Sequence, residues 1–284
     1  MKTQDFKSFN YLENGEVYFS NLDTVKTVNK LDSASYKLTY LPYPEDRIQL
    51  KMDTDSETVK IHIFPDKDRI DNLVNSFFDE TVVLTVQKLG FYHKCGVLFY
   101  GKEGTGKSTI MKHYYDRLII ERQAIVFHIV CIPDVFERCW DFIIRIRTIQ
   151  KNPIVIVLEE VDRYTERISG FLKTILDGNM SINNCIFFAS TNYIDSIPEA
   201  IKNRPSRFKY SLNIEGIHSK SDIFNIIKPM LLDVCPDSEL PKYSSELVGS
   251  TLDEIKQFCL DKIMNIKSHK PTTRSIIGFI KDKI

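Results

Sequence analysis

The stretch Gly101-Lys102-Glu103-Gly104-Thr105-Gly106-Lys107-Ser108-Thr109 decides the fold of this chain. It matches the phosphate-binding pattern G-x-x-x-x-G-K-S/T, and chance would give on the order of 0.01 such matches in a chain of this length. An apolar run at residues 97–100 precedes it, and downstream the apolar residues between 110 and 119 recur at helical spacing. The order is therefore strand, glycine loop, helix, which is the setting that this pattern requires.

The residue types of the loop suit a polyphosphate. Glycines allow the backbone to wrap closely, so that successive N–H groups and the positive end of the next helix face negative charge. Lys107 would reach the β- and γ-phosphate oxygens of ATP, and Ser108 would place its hydroxyl on Mg²⁺. All the residues from 101 to 109 are therefore candidate ATP contacts. The alternative, a glycine turn followed by a solvated lysine, would leave both the pattern and its setting to chance.

The charges of the chain balance, with 38 Lys and Arg against 38 Asp and Glu in 284 residues. This balance gives no overall attraction to nucleic acid or to an anionic membrane, although a local basic groove is compatible with it. The six cysteines form no C-x-x-C pair and several lie in apolar runs, so we expect reduced thiols in a reducing compartment such as the cytoplasm. No run of about 18 apolar residues occurs, and we expect a soluble chain without a membrane partner.

The first 80 residues predict a small β-containing module. Apolar and polar residues alternate in three runs separated by turn-forming residues, at 36–40, 48–52 and 59–63. Residues 17–19 give one further strand. From Ile70 the apolar spacing becomes helical and continues to Gly90, which is a suitable helix stop. We expect residues 1–80 to bind a client or partner.

Residues 81–215 predict an α/β nucleotide-binding domain. Besides the strand before the loop, uninterrupted apolar runs occur at 124–130, 154–158, 185–190 and 210–214. They alternate with stretches of helical spacing, which is the pattern of a parallel sheet of about five strands flanked by helices. Beyond this domain the strand patterns stop, and residues 216–284 predict a helical lid. The capping box Thr251-Leu252-Asp253-Glu254 opens one of its helices, and apolar residues at 276–280 mark the last one.

Two acids, Glu159 and Glu160, follow the apolar run at 154–158 directly. The carboxyl end of a strand is where an open α/β sheet presents groups to its ligand. In a nucleotide hydrolase the first acid, Glu159, would help Ser108 to hold Mg²⁺, and Glu160 would polarise the attacking water. The alternative is that two acids merely end a strand at a solvated edge.

With these residues in place, the chain resembles the AAA clade of the AAA+ ATPases over roughly residues 85–284. The resemblance implies a P-loop NTPase fold with a helical lid, hydrolysis of ATP to ADP and phosphate, and Mg²⁺ as cofactor. It also implies that Asn192, in Ser190-Thr191-Asn192, orients the attacking water. Taken alone, an Asn after a strand is an ordinary turn residue.

Residues 197–208 are similar to the second region of homology of AAA proteins. The similarity implies that Arg204 and Arg207 act on the nucleotide of a neighbouring subunit, where a permanent planar charge stabilises phosphoryl transfer. It implies a ring of identical subunits, usually a hexamer, that remodels a protein client. Residues 171–178 resemble most closely the branch that contains the mitochondrial chaperone of the Rieske protein, without its membrane anchor.

The chain departs from the family pattern at two places. Glu159 stands where the family mostly has Asp, and Cys131-Ile132-Pro133-Asp134 lacks the aromatic-hydrophobic-glycine loop by which many relatives grip a threaded polypeptide. Two other functions therefore stay open. One is a nucleic-acid-associated motor or loader, which the neutral net charge disfavours. The other is a nucleotide-gated scaffold with little turnover, for which Glu159 is the one indication.

Overall fold

The fold is described by a computed structural model, which covers most of the chain. The described residues are 8–11, 17–21, 24–28, 30–41, 47–53, 67–130, 132–178, 180–202, 207–232 and 234–269. The strand expected at 59–63 and the helix expected at 276–280 lie outside these ranges. The chain divides into two compact units, the first of which ends at Ile214, while the second begins at Glu215 and also takes in Gly104–Gly106.

A ten-stranded sheet forms the centre of the first unit. Its strands are β1 (Ser8–Tyr11), β2 (Val17–Asn21), β3 (Thr24–Val28), β4 (Ser35–Leu41), β5 (Arg47–Met52), β6 (Lys94–Tyr100), β7 (Ile125–Ile129), β8 (Ile154–Leu158), β9 (Cys185–Thr191) and β10 (Tyr210–Asn213). They lie in the order β10-β6-β9-β8-β7-β4-β5-β1-β2-β3. The first five strands in this order pair in parallel, so the predicted five-stranded parallel sheet is confirmed. Strands β7, β8 and β9 are apolar and buried almost throughout, because helices cover both faces of a parallel sheet.

The N-terminal strands continue this sheet. Strand β4 pairs in parallel with β7, from Ser35 opposite Val126 to Leu38 opposite Ile129, and β5, β1, β2 and β3 follow in antiparallel pairing. The boundary expected near residue 80 therefore does not separate two units in the structure. Alternation along a strand reports which of its faces is buried, and it carries no information about which neighbour the strand pairs with. Strands β1 and β3 were not predicted because their alternation of apolar and polar residues is weak. Strand β2 coincides with the strand expected at 17–19.

Six helices belong to the first unit in its described part. They are α1 (Lys67–Phe77), α2 (Glu80–Lys88), α3 (Lys107–Arg122), α4 (Pro133–Ile149), α5 (Thr165–Asp177) and α6 (Glu199–Lys202). Helix α1 buries Ile70, Leu73, Val74 and Phe77, as its apolar spacing predicts. Helix α2 buries none of its residues, although the Asp79 carboxylate caps it by accepting hydrogen bonds from the N–H groups of Thr81 and Val82.

The core lies where α4 packs on the sheet. Trp140 is fully buried there, with its ring stacked on Phe187 at 5.8 Å between ring centroids. Its indole N–H donates to the backbone oxygen of Met180 at 3.1 Å, so its polar atom is satisfied. Truncation of a buried aromatic side chain of this kind costs about 3–5 kcal/mol, and Trp140 is therefore a structural residue.

The second unit is helical in its described part, as predicted. It contains α7 (Lys220–Leu231), α8 (Leu240–Glu246) and α9 (Leu252–His269). The predicted capping box is confirmed, because the N–H of Thr251 donates to the Glu254 carboxylate at 2.7 Å and the N–H of Glu254 donates to the Thr251 hydroxyl at 3.2 Å. The side chain of Ser219 caps α7 by accepting one hydrogen bond, from the N–H of Asp222.

Candidate functional site

The glycine loop joins the end of β6 to the start of α3, and its backbone requires glycine. Gly101, Gly104 and Gly106 have φ angles of +145°, +76° and +95°. A Cβ on Gly101 would also stand 2.2 Å from the backbone oxygen of Ile214. Side chains at these positions would be strained or would clash, whereas a bare backbone can close around a ligand. The loop therefore fits the phosphates of a nucleotide, in the place where the N–H groups that open α3 are free of intrahelical partners.

Lys107 opens α3 and lies over the loop. Its side chain is only 8% exposed, and its Nζ donates to the backbone oxygens of Gly101 at 2.8 Å and Lys102 at 2.7 Å. Burial lowers the pKa of Lys107, while the carboxylates of Glu103 and Asp162 act in the opposite direction. A cation held against two carbonyl oxygens can exchange them for the more strongly charged oxygens of a phosphate.

Glu159 and Glu160 directly follow β8, as their sequence position predicts. The backbone of Glu160 is left-handed, with φ +49°, a conformation that costs a non-glycine residue about 1 kcal/mol or more and that recurs at functional sites. Its N–H donates to the Ser190 hydroxyl on β9 at 3.3 Å. Its carboxylate pairs with Arg163 at 2.9 Å, and both side chains are largely exposed, so this ion pair is weak.

The two residues expected to hold magnesium are both open to solvent. Ser108 lies in the first turn of α3, and Glu159 stands at the end of β8. Burial raises the pKa of Tyr115 on α3, and nearby carboxylates, among them Glu159, raise it further. Glu159 therefore lies close to the helix that carries Ser108. A hydroxyl and a carboxylate are hard oxygen ligands of the kind that Mg²⁺ takes together with water and phosphate, so the donor set fits this ion.

Asn192 and the loop are in contact. Strand β9 lies between β6 and β8, so the chain that leaves β9 passes close to both the loop and the two acids. The side-chain amide of Asn192 donates to the Glu103 carboxylate at 3.4 Å. The structure thus brings the loop, Glu160 and Asn192 together at one end of the sheet.

Two residues at this end, Thr191 and Asp162, were not singled out from the sequence. The Thr191 hydroxyl donates to the Asp162 carboxylate at 2.6 Å, which ties the end of β9 to the turn after β8. Asp162 also acts electrostatically on Lys107, as does Glu103. Asp162 could have been found as a third acid in the run Glu159-Glu160-Val161-Asp162, whereas Thr191 carries no sequence signal of its own.

The middle of the loop, Gly104–Gly106, groups with the second unit. Within that unit the N–H of Asp253 donates to the backbone oxygen of Gly104 at 3.1 Å. A Cβ on Gly106 would stand 3.0 Å from the side chain of Leu252. The start of α9 therefore contacts Gly104 and Gly106 within the second unit, and no sequence pattern predicts this contact.

Of the two arginines singled out in the segment 197–208, the structure describes Arg207, and it does not bring Arg207 to the loop of its own chain. Arg204 lies outside the described residues. Arg207 is 6% exposed, its Nε donates to the Asp177 carboxylate at 3.0 Å, and its Nη1 donates to the backbone oxygen of Ala200. Its backbone oxygen lies against Gly96, near the start of β6, whereas the loop follows the end of that strand. At about 3.3 Å per residue, the five residues from Gly96 to Gly101 put Arg207 roughly 16 Å from its own loop.

The cysteines and helices give two further observations. In the described part of the chain Cys95, Cys139, Cys185, Cys235 and Cys259 are free thiols. Among the residues that the structure covers, no helix combines the length and the apolar character needed to cross a bilayer.

Comparison with known proteins identifies the segment around this site. Residues 97–215 match the sequence profile of the family described as "ATPase family associated with various cellular activities (AAA)". The chain is similar to the ATPase family gene 2 protein of Schizosaccharomyces pombe, with 33% identity over 155 residues, which cover 49% of this chain and 18% of that protein. It is also similar to the proteasome-activating nucleotidase of Saccharolobus islandicus, with 26% identity over 197 residues, 62% of this chain and 48% of that protein.

The chain thus spans half or less of the length of these relatives. The matched profile begins within β6, takes in the glycine loop, the two acids, Asn192 and Arg207, and ends at the boundary between the two units. It is the profile of a family of ATP-binding P-loop hydrolases. Residues 97–215 of this chain are therefore similar to the AAA ATPase domain of that family.

Proposed function

We propose that this protein hydrolyses ATP and uses the energy to remodel a protein partner. The observation that carries the proposal is that Lys107 and Asn192 contact the glycine loop, while Glu160 follows β8, the neighbour of the strand that leads to Asn192. These residues supply, at one end of the sheet, a cation for the phosphates, a carboxylate for the attacking water and an amide to orient it.

In this proposal the loop residues 101–109 bind the phosphates through their N–H groups, and Lys107 binds the β- and γ-phosphate oxygens. Ser108 and Glu159 hold Mg²⁺, which would offset the negative charge that develops on the phosphates. Glu160 accepts a proton from water as the water oxygen bonds to the γ-phosphorus. The bond from the γ-phosphorus to the bridging oxygen breaks, and ADP and phosphate leave. Asn192 positions the water.

We further propose that the active form is a ring of identical subunits, a hexamer, in which Arg204 and Arg207 complete the site of the neighbour. Support comes from the long separation between Arg207 and its own loop, because an arginine at that end of the sheet cannot serve its own nucleotide. Arg207 would have to exchange its contact with Asp177 for the neighbour's phosphate. Arg204 is therefore the first of the two to test.

The client and its location are also proposals. We assign selection of a protein client to residues 1–80, and the name of the proteasome-activating relative supports action on proteins. Five free thiols in the described residues support a reducing compartment, the cytoplasm. The likeness of residues 171–178 to the Rieske-chaperone branch stays a prediction, since the relatives compared above carry other names.

The test of hydrolysis is Glu160→Gln, with Glu137→Gln on the exposed side of α4 as the matched control. We expect the Glu160 variant to bind ATP as the natural chain does, while phosphate release falls by about 100-fold or more because the proton acceptor is lost. Glu137→Gln should leave both measurements unchanged. Unreduced phosphate release by the Glu160 variant would remove Glu160 from the mechanism.

The test of the ring is the molecular mass in solution with ATP, with ADP and without nucleotide, measured by light scattering. We expect a mass of several subunits with ATP, and Arg204→Ala should reduce phosphate release without weakening ATP binding. A monomer under all three conditions would contradict the ring and with it the action of Arg204 and Arg207 on a neighbour.

A further inference from the structure

A cavity of about 570 Å³ lies in the first unit, at the end of the sheet where β6 begins. Lys94, Cys95 and Gly96, the first residues of β6, line it together with residues of α1, of α2 and of the segment before β10. The cavity is therefore at the opposite end of β6 from the glycine loop. Its volume falls within the range of about 300–1,000 Å³ that is usual for sites of small ligands.

One wall of the cavity is apolar and incompletely covered. Leu73 and Phe77 of α1, Val82 and Val86 of α2, and Phe91 form it. Helix α2 has no buried residue, Val82 is 40% exposed and Phe91 is 66% exposed. Apolar side chains that remain open to water beside a cavity are the surface that a bound apolar group would cover.

The lining of the cavity also carries positive charge, from Lys94, Arg207 and Lys209, against one carboxylate, that of Asp177. Arg207 is paired with Asp177 at 3.0 Å, and Lys209 is exposed to water. These two cations are therefore already compensated, one by a carboxylate and one by solvent.

Lys94 is different. Its ammonium group donates to the Ser181 hydroxyl at 2.9 Å and lies 6.0 Å from the centre of the Tyr92 ring. Neither partner carries a charge, and no carboxylate of the described residues lies within ion-pair distance of it. Burial lowers the pKa of Lys94, while the carboxylate of Asp177, which is paired with Arg207, acts in the opposite direction. A half-buried ammonium group that donates to a neutral hydroxyl beside apolar side chains suits a ligand with one negative charge and an apolar body.

We infer that this cavity binds an arylalkyl carboxylate, with the carboxylate on Lys94 and the aromatic ring against the wall formed by Phe77, Val86 and Phe91. The ligand is either a free acid of this kind or the C-terminal aromatic residue of a peptide, which present the same carboxylate and ring. This site lies at the opposite end of β6 from the glycine loop of the same subunit, and it shares Arg207 and Asp177 with the contact that the proposed ring would rearrange.

The experiment is a calorimetric titration of the full chain with 4-phenylbutyrate and with 4-phenylbutanamide, its neutral counterpart. We expect the carboxylate to bind at least about tenfold more tightly than the amide, which corresponds to one charge-assisted hydrogen bond. Equal affinities for the two probes would overturn the inference. So would the absence of saturable binding of the carboxylate up to about 5 mM.

Two variants locate the binding. Lys94→Met should abolish the preference for the carboxylate and leave the affinity for the amide unchanged, whereas Lys88→Met, on the exposed surface of α2, should retain the preference. Ser76→Trp places a ring into the cavity from an exposed position of α1 and should weaken both probes at least tenfold. A preference that survives Lys94→Met, or affinities that Ser76→Trp does not change, would overturn the inference. A thermal melt of each variant shows that it is folded.

A second pair of probes distinguishes the two sources of the ligand. N-acetyl-Gly-Gly-Phe with a free carboxylate and the same peptide with an amide end are titrated in parallel. Tighter binding of the peptide acid than of 4-phenylbutyrate would support a peptide C-terminus as the natural ligand, and the reverse order would support a free acid. Binding of the peptide amide as tight as that of the peptide acid would count against the inference.

Discussion

Lys94 and Lys107 stand at the two ends of β6, and their surroundings differ. Burial lowers the pKa of both. Lys107 lies against two carbonyl oxygens of the loop and near the carboxylates of Glu103 and Asp162. Lys94 donates to the neutral hydroxyl of Ser181 and lies near one carboxylate, that of Asp177, which is paired with Arg207. At the carboxyl end of the parallel strands, loops and the start of a helix converge on the cation. At the amino end, apolar side chains of α1 and α2 surround it. In our proposals the same residue type would therefore serve a polyphosphate at one end and a single carboxylate at the other.

The largest expected effect comes from removing each lysine in turn. Lys107→Met should reduce phosphate release by at least about 100-fold, because the cation that stabilises the transferred phosphate is lost. Lys94→Met should leave phosphate release and the binding of a fluorescent ATP analogue within about twofold, since distant sites act independently. A comparable loss in both variants would mean that the two ends of the strand are not separate sites.

Gly96 tests how closely the amino end is packed. A Cβ at this position would stand 2.2 Å from the backbone oxygen of Arg207. We expect Gly96→Ala to lower the free energy of unfolding by up to about 3 kcal/mol, measured by urea denaturation. Gly170→Ala on α5 is the control, because nothing lies within 4 Å of its Cβ position, and it should raise stability by about 0.5–1 kcal/mol. Equal stability of the two variants would contradict the close approach at Gly96.

Asp177→Asn tests the ion pair between Asp177 and Arg207 at the amino end of β6. It leaves the Arg207 guanidinium, which is nearly fully buried, without a charged partner. The expected cost is about 2 kcal/mol in the free energy of unfolding, which is typical of a lost hydrogen bond to a charged group. Asp237→Asn, at an exposed position of the second unit, should change stability by less than about 0.5 kcal/mol. Loss of stability in the Asp237 variant alone would contradict the role given to Asp177.

The smallest expected effect on stability and on phosphate release is at the carboxyl end of β8, where Glu160 pairs with Arg163. Both side chains are largely exposed, so Arg163→Ala should change the free energy of unfolding by less than about 1 kcal/mol. Phosphate release should change by a few-fold at most, because the carboxylate that accepts the proton stays in place. A loss of release as large as that of Glu160→Gln would instead make Arg163 part of the reaction.

The parallel sheet could be predicted because buried strands and amphipathic helices leave patterns in the chain. The five apolar runs fell on β6 to β10, and the capping box at Thr251 opened α9. The attachment of β4 to β7 could not be predicted, because it depends on backbone pairing between segments about 90 residues apart. Local alternation specifies a strand and leaves its neighbour open.

The candidate site also contains residues that could be predicted from the sequence and residues that could not. The residues of the glycine loop, the two acids and Asn192 were found because each has a motif or a fixed place at the end of a strand. Asp162 and Thr191 were missed because their contact arises only when β8 and β9 lie side by side. The burial of Arg207 against Asp177 was also missed, because the two residues are 30 positions apart and no sequence pattern contains both of them.

The pairing of β4 with β7 also bears on whether the segment 97–215 can be studied alone. Residues 97–215 begin after β4, so a chain shortened to them would lack the strand that covers β7. Strand β7 reads Ile-Val-Phe-His-Ile and is buried almost throughout. Exposed as an edge, such an uncharged strand with unpaired backbone groups is a template for association with other chains. The N-terminal strands therefore protect the edge of the parallel sheet, and we expect a chain without them to aggregate.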